Sequence, residues 1–125
     1  MWSHPTSLRL LRRSIAPELM ALSLLLAVSA TGHAEQDPRY RAIQDLGALN
    51  GVALQCRYID QVRRMKQAVV SNAPKERSFG LAFDEATNKA FLAFIERQES
   101  CPQGETFARS VGHQIDRVRT VFAAE

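Results

Sequence analysis

The chain has 125 residues, of which 16 are Lys or Arg and 13 are Asp or Glu, so its formal net charge is +3. Most of that excess lies in the first 34 residues, which hold Arg9, Arg12 and Arg13 against Glu18, and the remainder carries 13 basic and 12 acidic residues. A remainder this close to neutral gives no support for binding of nucleic acid or of an anionic membrane, and its length suits one small domain.

The N-terminal third has the pattern of a signal peptide. Arginines precede an apolar run over residues 19–30, LMALSLLLAVSA, which is shorter than the roughly 20 residues needed to span a bilayer. A small-x-small pattern predicts cleavage after Ala34, and a cut after Ala30 is the alternative. We therefore expect residues 1–34 to be a signal peptide and residues 35–125 to be a single helical domain. The mature protein would be periplasmic or secreted, with no stable membrane anchor.

The first predicted helix begins after Asp37, a capping residue that is followed by proline. Apolar residues then recur at three- and four-residue steps, which favours one helix over residues 38–71. The turn-forming pair Asn50-Gly51 leaves two interpretations open, a single helix kinked at that pair or two helices. Gly47 and Gly51 are four residues apart and predict the close approach of another helix.

A second helix is predicted from about residue 75 to residue 97, after the helix-breaking stretch SNAPK. Its phenylalanines and alanines fall mainly on one face. The polar stretch DEATN, residues 84–88, is interpreted as a solvated face on the other side. Thr87 and Asn88 have low helix propensity, which leaves a buried polar contact as the alternative for them.

The third predicted helix follows a loop, SCPQGE at residues 100–105, and continues to the C-terminus. Its apolar residues keep a helical spacing: Phe107, Val111, Ile115, Val118 and Phe122. The sequence shows no strand-like alternation and no internal repeat. The expected fold class is all-α, a small bundle of three helices, or of four if residues 38–71 divide, closed by one disulfide.

Cys56 and Cys101 are the two cysteines of the sequence. In an exported protein an even pair indicates a disulfide, and closing this loop would contribute roughly 4 kcal/mol. The sequence lacks a C-x-x-C motif, and zinc would need more ligands than these cysteines and His113 provide. The bridge is geometrically feasible if the second helix ends before residue 98. We predict a structural disulfide, with a labile or regulatory one as the alternative.

The sequence predicts no catalytic residue, no metal site and no cofactor. It contains neither a phosphate-binding glycine loop nor a G-x-S-x-G motif, and no activated serine accompanies His113 and Asp116. Asp84 and Glu85 are adjacent, so on a helix they would point about 100° apart rather than form a catalytic pair. Met65 and His113 could ligate haem, but Met65 fits the apolar stripe of its helix and no C-x-x-C-H motif is present.

Two sets of residues are candidates for binding a partner. Arg57, Arg63 and Arg64 form a basic stripe that could dock an acidic partner, although a solvated face would also explain it. Phe79 and Phe91 of the second helix are candidates for an apolar groove. We expect the partner to be another envelope or secreted protein rather than a nucleic acid, and the sequence does not indicate the oligomeric state.

Three segments resemble a family of short secreted bacterial proteins that have no assigned activity: LGALNGVALQC (46–56), RSFGLAFDEATNKAFLAF (77–94) and the CP pair at 101–102. In layout, the chain is also similar to the periplasmic acid-stress chaperones of the HdeA type. We expect an exported, non-enzymatic helical domain that binds protein, as an assembly factor, inhibitor or chaperone. The alternatives are a carrier of a small apolar ligand, with phenylalanines lining its cavity, and an acid-activated periplasmic chaperone.

Overall fold

The computed structural model describes residues 36–124. These residues form four helices: α1 Pro38–Gln55, α2 Ile59–Asn72, α3 Arg77–Glu96 and α4 Gly104–Ala123. The described part of the chain contains no strand. The expectation of an all-α bundle closed by one disulfide is confirmed in its four-helix form. The predicted signal peptide and its cleavage sites lie outside the described residues.

α1 begins at a cap built from two neighbouring side chains. The Asp37 Oδ1 atom accepts a hydrogen bond of 2.9 Å from the backbone N–H of Arg39, and the Arg39 guanidinium pairs with the same carboxylate at 2.7 Å. Pro38 occupies the first helical position, where its missing N–H is not needed. The hydrogen bonds from Arg39 hold the pKa of Asp37 below its ordinary value.

The preference for one helix over residues 38–71 is wrong, because the chain turns between Gln55 and Ile59. Arg57 adopts a left-handed backbone conformation with φ of 58°. The N–H of Tyr58 donates a hydrogen bond of 2.9 Å to the carbonyl of Ala53, and the N–H of Arg57 donates one of 3.3 Å to the carbonyl of Leu54. This pair of bonds is a Schellman motif, which satisfies the last carbonyls of α1 and ends it.

α3 ends in the same way. Gln98 has a left-handed φ of 52°, and the N–H groups of Gln98 and Glu99 bond back to the carbonyls of Ile95 and Phe94. The helix therefore stops at Glu96, before residue 98, as the predicted disulfide requires. The disulfide is present: Cys56 at the end of α1 is bonded to Cys101 in the loop before α4, with a Cα–Cα distance of 5.6 Å.

α1 lies at the centre and contacts each of the other three helices. It runs parallel to α3, since Gly47 lies against Phe83, and Gly51 lies one turn further along against Thr87. α4 runs antiparallel to α1: Tyr58, just after α1, contacts Phe107 near the start of α4, whereas Tyr40 near the start of α1 and Phe122 near the end of α4 both contact Phe79. α2 and α4 pack on each other as well as on α1.

Large apolar side chains fill the space where α1, α2 and α4 meet. Five of these side chains are fully buried: Ile43 and Leu46 of α1, Met65 of α2, and Val111 and Val118 of α4. An aromatic cluster closes the end near the start of α1. There the Phe79 ring lies 4.6 Å from the Tyr40 ring and 5.1 Å from the Phe122 ring. Phe79 is therefore a core residue, 2% exposed.

The contact between α1 and α3 has a different character, because backbones meet there. A Cβ atom on Gly47 would lie 2.5 Å from the Phe83 carbonyl oxygen, and one on Gly51 would lie 2.5 Å from the Thr87 carbonyl oxygen. The predicted close approach at these glycines is confirmed. Asn50 and Gly51 therefore belong to a regular stretch of helix, and their turn-forming character is not used.

A buried polar contact lies between the two glycines. The Asn50 amide donates a hydrogen bond of 3.2 Å to the Thr87 hydroxyl, which in turn lies 2.8 Å from the Phe83 carbonyl and 3.1 Å from the Gly47 carbonyl. The alternative of a buried polar contact thus holds for Thr87, whereas Asn88 is exposed. Asn50 Oδ1 has no protein partner among the described residues.

Candidate functional site

The surface between α2 and α4 carries a groove rich in arginine. It encloses about 550 Å³. We call it the arginine groove and define it by its lining residues: Arg63, Arg64, Gln67, Ala68, Ser71 and Asn72 of α2, and Ile115 and Arg119 of α4. None of these lining residues is acidic.

Helix periodicity explains why these side chains meet. Val62, Met65 and Ala68 of α2 point into the core, which leaves Arg64 and Gln67 on the flank that faces α4. α4 has no side chain at Gly112, and a Cβ atom there would lie 3.6 Å from Nη2 of Arg64. The Arg64 guanidinium therefore extends across the surface of α4.

Neighbouring acidic side chains compensate the positive charge of the groove's arginines only weakly. Arg63 pairs with Asp60 at 3.3 Å and Arg119 pairs with Asp116 at 3.0 Å, but all four side chains are largely exposed, so water screens both pairs. Arg64 donates its side-chain hydrogen bond to the neutral Gln61 Oε1 at 2.6 Å. Three guanidinium groups around one concave surface suit the bidentate binding of carboxylates.

The structure brings together two of the three predicted arginines. Arg63 and Arg64 line the arginine groove, whereas Arg57 lies in the connection between α1 and α2, beside a separate depression lined by Tyr58 and Asp60. Sequence reasoning missed Arg119. Its spacing of four residues from Ile115 placed it beside the apolar face of α4, but only the packing of α4 on α2 brings it to the groove that Arg64 also lines.

The two predicted phenylalanines do not lie at a common site. Phe79 is in the aromatic cluster of the core, so a substitution there would act on folding. Phe91 is half-buried on α3, where its backbone N–H lies beside Gly51 and its carbonyl accepts a hydrogen bond of 3.4 Å from Gln55.

A second groove lies between α3 and α4 and has α1 as its floor. It encloses about 710 Å³, and its apolar lining consists of Ala48, Leu49 and Val52 of α1 with Ala90 and Ala93 of α3. We call it the alanine groove. Phenylalanines do not line it. Its rim charges form ion pairs, between Asp45 and Arg117 at 3.1 Å and between Arg97 and Glu99 at 3.5 Å.

The candidate residues for catalysis or haem ligation, Met65, His113 and Asp116, differ in burial and do not lie at one site. Met65 is fully buried in the core, whereas His113 is exposed on α4 at the wall of the alanine groove. Asp116 is occupied by its ion pair with Arg119. Within residues 36–124, no group of three or more His, Cys, Asp or Glu side chains is placed to hold a metal ion.

None of the four helices is long and apolar enough to cross a membrane. Comparison of the chain with protein-family models, with curated proteins and with solved structures finds no match. The disulfide is compatible with a secreted or periplasmic protein.

Proposed function

We propose that this chain is an exported, non-enzymatic binding domain whose arginine groove docks an acidic segment of another envelope or secreted protein. The observation that supports the proposal best is the lining of the groove. Arg63, Arg64 and Arg119 come from two helices, and the lining itself contains no carboxylate; the partners of Arg63 and Arg119, Asp60 and Asp116, are exposed residues outside it.

The shape of the groove favours a peptide segment over a small ion. α2 and α4 lie side by side, and the groove runs along α2 from Arg63 to Asn72, about two and a half turns or roughly 14 Å. Gln67 and Ser71 add amide and hydroxyl groups between the charges, which can bind the backbone of an extended partner. Ile115 adds an apolar contact at the floor.

A direct test uses synthetic peptides of matched length that are acidic, neutral or basic, with fluorescence anisotropy as the readout. The wild-type protein should bind the acidic peptide, and binding should weaken as salt rises. Arg64→Glu should weaken binding by more than about tenfold, since it replaces an attraction by a repulsion within the groove.

Arg77→Glu is the matched control, because Arg77 is exposed at the start of α3 and does not line the groove. It changes the net charge by the same amount as Arg64→Glu. Equal loss of binding in the two variants would show an unspecific effect of net charge, and absence of binding to the acidic peptide would refute the proposal. A photo-crosslinker at position 119 in the producing cell would then identify the partner, whose crosslinked segment should be acidic.

Carriage of a small apolar ligand is a second candidate, which the alanine groove favours. Small side chains leave its volume of about 710 Å³ open over an apolar floor, and pockets of this size hold drug-sized molecules. Native mass spectrometry of protein purified from its producing cell should show an added mass that Ala93→Trp removes. A bare polypeptide mass would count against this candidate and leave the arginine groove unaffected.

A further inference from the structure

α3 carries apolar side chains on two opposite faces. One face packs against α1 through Phe83, Thr87 and Ala90. On the other face, Leu81, Leu92 and Ile95 are 45%, 57% and 54% exposed. Helices with apolar residues on both faces are normally covered on both sides. In the described part of the chain, the outer face has no cover.

The exposed apolar residues form one straight stripe. At 100° per residue, Leu92 lies about 20° and Ile95 about 40° from the direction of Leu81, on either side of it. Asn88 lies between them on the same line. Ala90, which packs against Gly51 of α1, points about 180° away. We define the outer stripe of α3 as Leu81, Asn88, Leu92 and Ile95.

Three of the four residues of the outer stripe match a second copy that runs in the opposite direction, and Leu92 falls at the level of Asp84 of that copy. Asn88 lies seven residues from Leu81 and seven residues from Ile95. Two antiparallel copies that cross at Asn88 therefore place Leu81 of each against Ile95 of the other, and the two Asn88 amides face each other. Paired amides at the centre of a helical seam are a known means of fixing register.

The charges beside the outer stripe obey the same symmetry. Glu85 and Lys89 are both exposed and lie on one flank, about 40° and 80° from Leu81. A two-fold axis at Asn88 brings Lys89 of one copy to within about 3 Å, along the helix axis, of Glu85 of the other. Each dimer would therefore contain two ion pairs, each between Lys89 of one copy and Glu85 of the other.

We propose that the outer stripe of α3 is the interface of a homodimer in which two α3 helices pair antiparallel around Asn88. The symmetric spacing of Leu81, Asn88 and Ile95 and the self-complementary charges favour a second copy over an unrelated partner. They also argue against an anionic membrane surface, because Asp84 and Glu85 flank the apolar residues. An interface made by one helix from each copy is small, so the dimer forms in a concentration-dependent equilibrium.

The test uses the chain produced with its own N-terminal segment and purified as the cell processes it. Sedimentation should show a reversible monomer–dimer equilibrium. Leu92→Glu should raise the dissociation constant by more than about tenfold, and circular dichroism should show that this surface substitution leaves the fold intact. Protein that stays monomeric at every concentration would overturn the proposal.

Crosslinking tests the geometry separately. Asn88→Cys places one thiol per copy beside the two-fold axis, so oxidation should join two copies at that position. Ser78→Cys is the control on the same helix, since its two copies would lie about 30 Å apart. Equal crosslinking at both positions, or crosslinking only at position 78, would refute the antiparallel pairing.

A charge exchange gives the third readout. Lys89→Glu should weaken dimerisation, and the double variant Glu85→Lys with Lys89→Glu should restore it, because the exchanged charges again face each other across the two-fold axis. Failure of the double variant to restore the dimer, when the single variant weakens it, would refute the predicted ion pairs.

Discussion

The two sides of α1 are packed by opposite means. Towards α3, Gly47 and Gly51 bring two backbones together and leave no space for an added carbon. Towards α2 and α4, side chains such as Leu46, Met65 and Val118 fill the space between helices. The first interface should therefore fail when atoms are added and the second when atoms are removed.

The largest effect is expected for Gly51→Ala. The new Cβ atom would lie 2.5 Å from the Thr87 carbonyl oxygen and 2.7 Å from the Phe91 nitrogen, and both are backbone atoms that can move only with α3. We expect a loss of about 3 kcal/mol or more of the free energy of unfolding, measured by urea denaturation.

Gly80→Ala is the control for this substitution. Gly80 also lies in a helix, but nothing would lie within 4 Å of its new Cβ atom. Because alanine has the higher helix propensity, we expect stabilisation of about 0.5–1 kcal/mol. If Gly51→Ala is equally harmless, the backbones of α1 and α3 do not approach as closely as described.

The opposite behaviour is expected at Met65, on the other side of α1. Met65→Ala empties a fully buried position and should cost about 2–3 kcal/mol. Met65→Leu keeps the volume nearly constant and should cost less than about 1.5 kcal/mol. Urea denaturation of both variants measures the two losses in the free energy of unfolding. Similar losses would show that the shape of the side chain, rather than the volume it fills, governs this core.

A smaller effect is expected for the polar contact between α1 and α3. Thr87→Val keeps the shape of the side chain but leaves the buried Asn50 amide without its acceptor, which should cost about 1–2 kcal/mol. The double variant with Asn50→Leu removes both polar groups and should lose less than the sum of the single variants. A strictly additive result in urea denaturation would indicate that the two side chains do not interact.

The smallest effect is expected at the start of α1, and it depends on pH. Arg39 lowers the pKa of Asp37, so the carboxylate stabilises the fold above its ordinary pKa, and that contribution disappears as the pH falls through the lowered value. Asp37→Ala should therefore lower the melting temperature slightly at neutral pH, and the difference should shrink in strong acid, where the carboxyl is protonated. A difference that does not shrink in acid would show that charge is not involved.

The same acid titration bears on the HdeA-like alternative. Acid-activated chaperoning would require loss of tertiary packing and exposure of apolar surface at low pH. A near-UV spectrum that is unchanged in acid would remove that alternative.

The sequence predicted the helical class, the disulfide and the close approach at Gly47 and Gly51, since each depends on residue types with a strong local signature. It favoured one helix over residues 38–71, where the chain forms two, α1 and α2. Glycine is the usual residue at a left-handed helix end, but here Arg57 and Gln98 occupy those positions. Asn50-Gly51 offered the expected turn signal and lies inside a helix.

The arginine groove could be predicted only in part for a related reason. Periodicity places Arg63 and Arg64 on an exposed flank of α2. The third guanidinium comes from α4, and the relative register of two helices depends on packing across the whole core. No local pattern encodes the distance between Arg64 and Arg119.

The bond between Cys56 and Cys101 encloses α2, α3 and the short connection between them, residues 73–76, within one covalent ring. A protease that cut this connection would nick the ring without releasing a fragment. The two pieces would migrate as one molecule until a reducing agent was added. After such a cut, all four helices that form the two grooves would still belong to one covalent molecule.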